Sequence, residues 1–297
     1  MAGPILVTGA QGFVGLHLLR ELGDAGAPLD ADVTDAPLLK DAIAAAEPSA
    51  VVHLAAHSSV AESWGTTGEL WRVNVLGTVN LLDAVRASAP GARALMVSTG
   101  EVYGRAESTP TPEDAPVAPI SPYGASKAAA EVSAGQAARE GADVVVARAF
   151  QHEGPGRDER FAVGSWVAQI ARLEAEGGGK LLVGDLSARR DITDVRDVCR
   201  AYRLLLDPEV PTGTYNVASG RAVAMREVLD LLIEAASVPV EVETDPARLR
   251  PSDLEIVCGD PSRIRAATGW EPRIPLEQTL ADALAAAREE TKERMSA

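Results

Sequence analysis

The chain has 297 residues, 46% hydrophobic and 24% charged, and 28 Lys and Arg against 43 Asp and Glu give it a formal charge of −15. That length can bury a sizeable core in one large α/β unit or two smaller lobes, and the composition is too apolar for a disordered chain. The acidic balance argues against nucleic-acid and membrane-surface binding, which both favour a basic face, and no run approaches the ~18 apolar residues of a membrane span. A soluble, cytoplasmic protein is expected.

Residues 4–8 read as a short buried strand and 13–22 as a helix. The strand expected between 25 and 33 is stunted by Gly26, Pro28 and aspartates. Residues 50–55 form a second clear strand, 69–87 one long helix and 94–98 a strand. The Pro-rich stretch 109–122 is a loop long enough to suggest a functional lid. A helix at 122–139 and a strand at 143–149 follow. Runs such as Val144-Val145-Val146 lack polar alternation, as strands covered on both faces do. Short strands alternating with longer helices predict an α/β fold with a parallel sheet. From residue 150 Gly, Pro and Arg become dense. A helix at 161–176 ends at Gly177-Gly178-Gly179, and further helices are expected at 195–206, 224–236, 261–267 and 276–289. Cys199 and Cys258 stand far apart and read as buried small residues. The four histidines have no metal-ligand spacing, so no metal is expected.

Two motifs carry chemistry. Thr8-Gly9-Ala10-Gln11-Gly12-Phe13-Val14-Gly15 lies between the first strand and helix, where glycines let backbone N–H groups approach a pyrophosphate at a helix N-terminus. The acid that would grip an adenosine ribose at the end of the second strand is uncertain; Asp30 is the nearest, and Asp32-Val33 faces the adenine. Tyr123 and Lys127, four residues apart, share one helix face. A cationic Lys beside a phenol is expected to pull the phenol below its usual pKa of about 10 and make it a usable acid or base. Ser98-Thr99-Gly100-Glu101 supplies a hydroxyl from a neighbouring strand end.

With these residues on hand, the chain resembles the extended short-chain dehydrogenase/reductase (NAD-dependent epimerase/dehydratase) family of sugar-nucleotide enzymes. The resemblance covers nearly the whole chain: TGAQGFVG at 8–15, DVTD at 32–35, HLAA at 53–56, NVLGTVNLLDA at 74–84, STGEVYG at 98–104 and YGASK at 123–127. In the second half RAFQHEGPG at 148–156, GDLSARRDITDVRDV at 184–198 and RPSDLEIVCGDPSRIRAATGWEP at 250–272 are reductase-like. The resemblance implies a Rossmann-like doubly wound parallel sheet with a smaller α/β substrate lobe. Residues 1–152 with about 186–221 would bind the dinucleotide, and 153–185 with 222–297 the substrate. NADP or NAD would contact Gly9, Gln11, Gly12, Phe13, Val14, Gly15, Asp32, Val33, Leu54, Ala55, Ala56, Tyr123 and Lys127. Thr99, Glu101, Tyr123 and Lys127 would be catalytic. Thr99, Glu101, Tyr123, Gln151, Arg190 and Arg250 would hold the sugar nucleotide, the two arginines clamping its diphosphate. Gln151 stands where an asparagine is expected.

The implied activity is reduction of the C4 ketone of a GDP-linked 4-keto-6-deoxyhexose. The alternative is a 4,6-dehydratase or epimerase that retains NAD, with Glu101 as its base. A non-enzymatic dinucleotide sensor has no need of the Thr99, Tyr123 and Lys127 set. Arg157 and Arg160 are as readily surface ion pairs as ligand contacts, and Asn74 reads as structural. A homodimer through helices 69–87 and 122–139, with Val79, Leu82 and Ala129 outward, is expected.

Overall fold

The computed structural model describes residues 3–249 and 254–296. Its strands run β1 (Ile5–Thr8), β2 (Gly26–Pro28), β3 (Ala50–His53), β4 (Arg93–Thr99), β5 (Val144–Ala149) and β6 (Gln151–Glu153). After these come β7 (Gly179–Val183), β8 (Arg189–Asp194), β9 (Gly213–Val217), β10 (Ala222–Ala224), β11 (Val240–Thr244) and β12 (Ile256–Val257). Six of them form a parallel sheet in the order β2-β1-β3-β4-β5-β9. Every residue of β3 and β5 is buried, because helices cover both faces of the sheet.

On one face Leu18 and Leu22 of helix Phe13–Leu22 and Val198, Tyr202 and Leu205 of helix Val195–Leu205 pack on Val7, Val52, Leu95 and Val145. On the other, Leu39 and Ile43 of helix Ala36–Ala46 and Leu81 and Val85 of helix Gly77–Ser88 pack on Leu6 and Val51. This is a doubly wound, Rossmann-like sheet. A second core lies beyond it, where Val163, Trp166 and Ile170 of helix Ala162–Glu176 meet Ile192, Val228, Leu229, Leu280 and Leu284. It carries a small mixed sheet, with β8 flanked by β6, β10 and β12, and the parallel pair β7–β11. Val195 to Val217 returns the chain to the first core.

Helices Phe13–Leu22 and Pro122–Arg139 have the expected bounds. The latter is set by Ser121, whose hydroxyl accepts from Gly124 N, with Pro122 in the first turn. Three expectations need correction. The stretch 69–87 is not one regular α-helix: Thr67–Trp71 is followed by a π-helical turn, Arg72–Leu76, and then by Gly77–Ser88. The widened turn carries Asn74, whose amide accepts from His57 N and donates to His57 O and Ser126 Oγ. Leu82 is buried against Ala94, Met96 and Ala134 and offers nothing to a partner. The 109–122 loop is no free lid, because Thr111 pairs with Gly259 and Ala118 N donates to Val102 O. Both cysteines are buried and free.

Candidate active site

The glycine turn is shaped by close approach. Gly9 adopts φ +63, and a Cβ there would come within 2.8 Å of Ala55 N. A Cβ on Gly15 would meet Gly9 O at 2.5 Å. Gly12 caps helix Phe13–Leu22 with no side-chain hydrogen bond, so the first N–H groups remain open to an anion. Gln11 and Gly12 are exposed, and Phe13 and Val14 half-buried, at this turn. Leu54, Ala55 and Ala56 leave β3 against it, their course fixed by Thr8 Oγ1, which accepts from Leu54 N and Ala55 N. With its acceptor capacity used, that hydroxyl donates to His53 Nδ1 at 2.8 Å, leaving the ring proton on Nε2. Burial drops the His53 pKa to about 3, so the ring is neutral. The turn fits a dinucleotide: no side chain caps its helix, and a side chain at Gly9 or Gly15 would fill the cradle.

At the sheet edge Asp30 is exposed beyond β2. Asp32 is exposed too, accepting from Thr34 N and Oγ1, which lowers its pKa. Val33 is buried against Gly77, and its carbonyl accepts from Asn80 Nδ2.

Thr99 at the end of β4 and Tyr123 and Lys127 on helix Pro122–Arg139 come together, each at most 9% exposed. The parallel register of β4 with β5 and the N-cap at Ser121 place them side by side. Burial pushes the Tyr123 phenol up to about 12, and the Glu101 carboxylate adds to this; the Thr99 hydroxyl and Arg157 oppose it. The expected depression by Lys127 is therefore corrected. The Lys127 ammonium turns to Val97 O, 2.6 Å away, and desolvation of the phenolate dominates. Burial in turn lowers Lys127 to about 8, and Glu131, one turn on, opposes that shift. At neutral pH the site holds a protonated phenol beside an ammonium.

Glu131 was missed in the sequence. Its carboxylate takes Arg148 Nε and Nη2 at 3.0 and 2.7 Å and the Ser98 hydroxyl. Arg148 Nη1 continues to Tyr103 Oη, which donates to Asn216 Oδ1, whose Nδ2 donates to Thr111 O. A buried polar network thus runs from the 109–122 loop to helix Pro122–Arg139. An arginine inside the apolar run Val144–Ala149 was the available signal.

Gln151 donates to Glu153 Oε1 at 3.0 Å. Arg190 Nη1 donates to the carbonyls of Arg189 and Leu254, tying β8 to the approach to β12. Arg250 lies outside the described residues. Arg160 is the exposed ion pair, held by Asp158 and Glu62. Arg157 is not: its side chain is 13% exposed and packs on Phe13 and Phe161. His152 donates from Nδ1 to Phe150 O and stacks on Phe13, and burial brings its pKa to about 4.

A doubly wound sheet, a glycine turn after β1 and a Thr–Tyr–Lys set at its carboxyl edge define the extended short-chain dehydrogenase/reductase class. Within it a family model for GDP-mannose 4,6 dehydratase matches residues 27–283, and the chain belongs to that family. It is 37% identical to GDP-6-deoxy-D-mannose reductase of Pseudomonas aeruginosa over 291 residues, covering 94% of this chain and 95% of that protein. It is 28% identical to GDP-mannose 4,6 dehydratase 2 of Caenorhabditis elegans, covering 86% and 72%. The structure of RMD from Pseudomonas aeruginosa complexed with NADPH superposes with a TM-score of 0.90 at 36% identity, covering 97% of this chain and all of that one.

Proposed function

We propose that this protein is an NAD(P)H-dependent reductase of the C4 ketone of a GDP-linked 4-keto-6-deoxyhexose, giving a GDP-6-deoxyhexose such as GDP-D-rhamnose. The observation that carries the reading is the protonated, buried Tyr123 phenol beside Thr99, at the end of β4 in the same parallel sheet whose β1 leads into the glycine turn. The reductase likeness over nearly the full length of both chains supports it. Gly9, Gln11, Gly12, Phe13, Val14 and Gly15 would hold the cofactor diphosphate, with Asp32, Val33 and Leu54 to Ala56 lining its adenosine half. When bound, NADPH or NADH supplies the hydride that reduces C4.

Tyr123 gives its phenolic proton to the C4 oxygen as the carbonyl becomes an alkoxide, and Thr99 donates a hydrogen bond to that oxygen. Lys127 stabilises the phenolate left behind, and its buried charge acts at short range in a low dielectric. Gln151 and Arg190 face the sugar nucleotide in this reading, and Arg250 joins them. The two cores act as two lobes. One is built on residues 1–152 and a return of about 186–221, which packs in the first core from Val195 onward; the other comprises 153–185 and 222–297.

The protein works as a homodimer through the helical stretch 69–87 and helix Pro122–Arg139, where Leu76 of the π-helical turn and Val132 are exposed at 48% and 70%. Among the described residues no helix is long and apolar enough to cross a membrane. The cytoplasm, where sugar nucleotides and nicotinamide cofactors meet, is its compartment in this reading.

The test is incubation with GDP-4-keto-6-deoxy-D-mannose and NADPH or NADH, with nicotinamide oxidation followed by absorbance. Turnover of both reactants supports reduction, and a protein that oxidises neither cofactor loses the reading. A second reading, a 4,6-dehydratase with retained NAD, is favoured by Glu101, whose carboxylate acts on the Tyr123 phenol. Copurified NAD and turnover of GDP-mannose without added cofactor would establish it instead.

A further inference from the structure

β5 is an inner strand of the parallel sheet, buried along its whole length, yet it carries Arg148. The register sets Arg148 beside Ser98 of β4 and Asn216 of β9, a polar row across one face of the sheet. A guanidinium in such a place is costly unless it is paired and hydrogen-bonded.

Arg148 is held along both edges. Its Nη1 donates to Tyr103 Oη at 2.8 Å and to Glu113 O at 3.0 Å, and its Cζ lies 4.7 Å from the Tyr103 ring centroid. Glu113 belongs to the 109–122 segment, which Asn216 holds by donating to Glu113 Oε1 and Thr111 O. Thr111 in turn bonds the chain at Cys258–Asp260, just beyond β12 of the small mixed sheet. The other edge, Nε and Nη2, forks onto the Glu131 carboxylate, whose Oε1 also takes the Ser98 hydroxyl.

Glu131 stands one helical turn beyond Lys127, near enough for an i, i+4 ion pair. Among the described residues that pair does not form. The ammonium makes its one hydrogen bond to Val97 O, and the carboxylate goes to the arginine of the strand beneath. Two cations compete for one carboxylate, and the planar fork, placed by the strand register, wins over the flexible ammonium. The other groups around this helix leave the balance alone. His53 on β3 is neutral, and Tyr123 is protonated. In the turn after β4, Glu101 acts on the Tyr123 phenol, and burial raises Tyr103. Glu62, Glu69 and Arg72, from the turns packed on this helix, lie exposed in ion pairs of their own.

We propose that Arg148 is a positioning residue for the site: by taking the Glu131 carboxylate it keeps Lys127 out of a direct ion pair, so that the ammonium charge acts undiminished on the Tyr123 phenol. The assignment rests on the reading of Tyr123 as the acid and Lys127 as its cationic neighbour. A lysine paired to a carboxylate presents a dipole to the phenolate, whose field falls with distance faster than that of a charge.

Lys127 can be titrated directly, because it is buried while Lys40, Lys180 and Lys292 are exposed. NMR of protein labelled with carbon-13 lysine follows its ε-carbon through pH, with Lys127→Met to assign the signal and thermal melting as the fold control. The midpoint expected for wild type is about 8. Arg148→Met frees the carboxylate to pair with the ammonium, and the midpoint rises by about one pH unit. Glu131→Gln leaves the guanidinium unopposed, and the midpoint falls. Opposite signs from the two halves of one ion pair mark a charge balance at Lys127, whereas a merely structural pair moves neither. If Arg148→Met does not fold, the double variant of Arg148→Met with Glu131→Gln, which buries no lone charge, titrates above Glu131→Gln alone. An unmoved or lowered midpoint in Arg148→Met overturns the proposal, as does a double variant no higher than Glu131→Gln. With keto-sugar nucleotide and NADPH, the alkaline limb of kcat moves with the NMR midpoint; a limb that stays while the midpoint moves overturns the link to the phenol. The titration uses the free protein, so the two readings fail separately: wild type that oxidises no cofactor defeats the reduction, and the NMR midpoints decide the role of the arginine.

Discussion

Replacing Tyr123 with Phe removes a single oxygen from a buried ring and leaves the ring's packing in place. The cost to the fold is small: the hydroxyl that meets the phenol belongs to Thr99, whose Oγ1 still accepts from Glu101 N at 3.2 Å. Loss of one ordinary hydrogen bond is worth ~1 kcal/mol. The cost to the chemistry is large, because no other neutral-pH proton donor is assigned to this position. Lys127 is turned to Val97 O, and burial holds His53 and His152 neutral. Removing a general acid costs about 10²–10⁴ in rate, or ~3–5 kcal/mol on the barrier at 1.36 kcal/mol per tenfold. Single-turnover oxidation of bound NADPH by saturating keto-sugar nucleotide, together with direct titration of NADPH, separates the two effects. The expected variant binds NADPH like wild type, melts within a few degrees of it and loses at least a hundredfold in kcat. A kcat within tenfold of wild type, or a loss confined to KM, would refute the assignment of Tyr123 as the acid.

The pH profile of kcat should be set by Lys127: the ammonium is present below its pKa of about 8 and lost as pH rises through it, so activity falls there while the phenol, near 12, stays protonated. Glu131→Gln removes the carboxylate that raises Lys127, and the alkaline limb should move to lower pH; an unmoved limb would make Glu131 a purely structural residue. Gly15→Ala places a Cβ within 2.5 Å of Gly9 O and should abolish NADPH binding in titration, whereas a Kd near wild type would show that the turn does not hold the cofactor. Glu101→Gln should cost a reductase less than about tenfold in kcat, because no C–H proton is abstracted; near-complete loss, with solvent deuterium incorporated at C5 by the wild type, would favour the dehydratase.

Much of the first half was legible in the sequence because its signals are local. The run Ile5–Thr8 followed by spaced glycines, and Ser121-Pro122 opening an alanine-rich stretch, fix a strand, a turn and two helices within a few residues. The second half was less legible. β8, Arg189–Asp194, is polar in composition, yet four of its six residues are buried. Asp191 there satisfies Ser219 and Gly220, and Asp194 takes Arg196 and Thr279, all long-range or capping partners that periodicity does not encode. Spacing put Tyr123 and Lys127 on one helix face, where the structure has them, but it did not give their protonation. The sign of the Tyr123 shift depends on how deeply the ring is buried and on where the Lys127 ammonium turns, and both are tertiary facts. Arg157 and Arg160 look alike in the sequence; one is clasped between Phe13 and Phe161 and the other lies in solvent.

The most direct measurement of the central claim uses NADPH or NADH carrying deuterium at the transferring C4 position of the nicotinamide, with GDP-4-keto-6-deoxy-D-mannose as acceptor. Reduction by this site predicts one deuterium at C4 of the product hexose, one oxidised cofactor per sugar and, in heavy water, no label at C5. A product without cofactor-derived deuterium, or one labelled at C5 from solvent with no net cofactor oxidation, would contradict the reductase account.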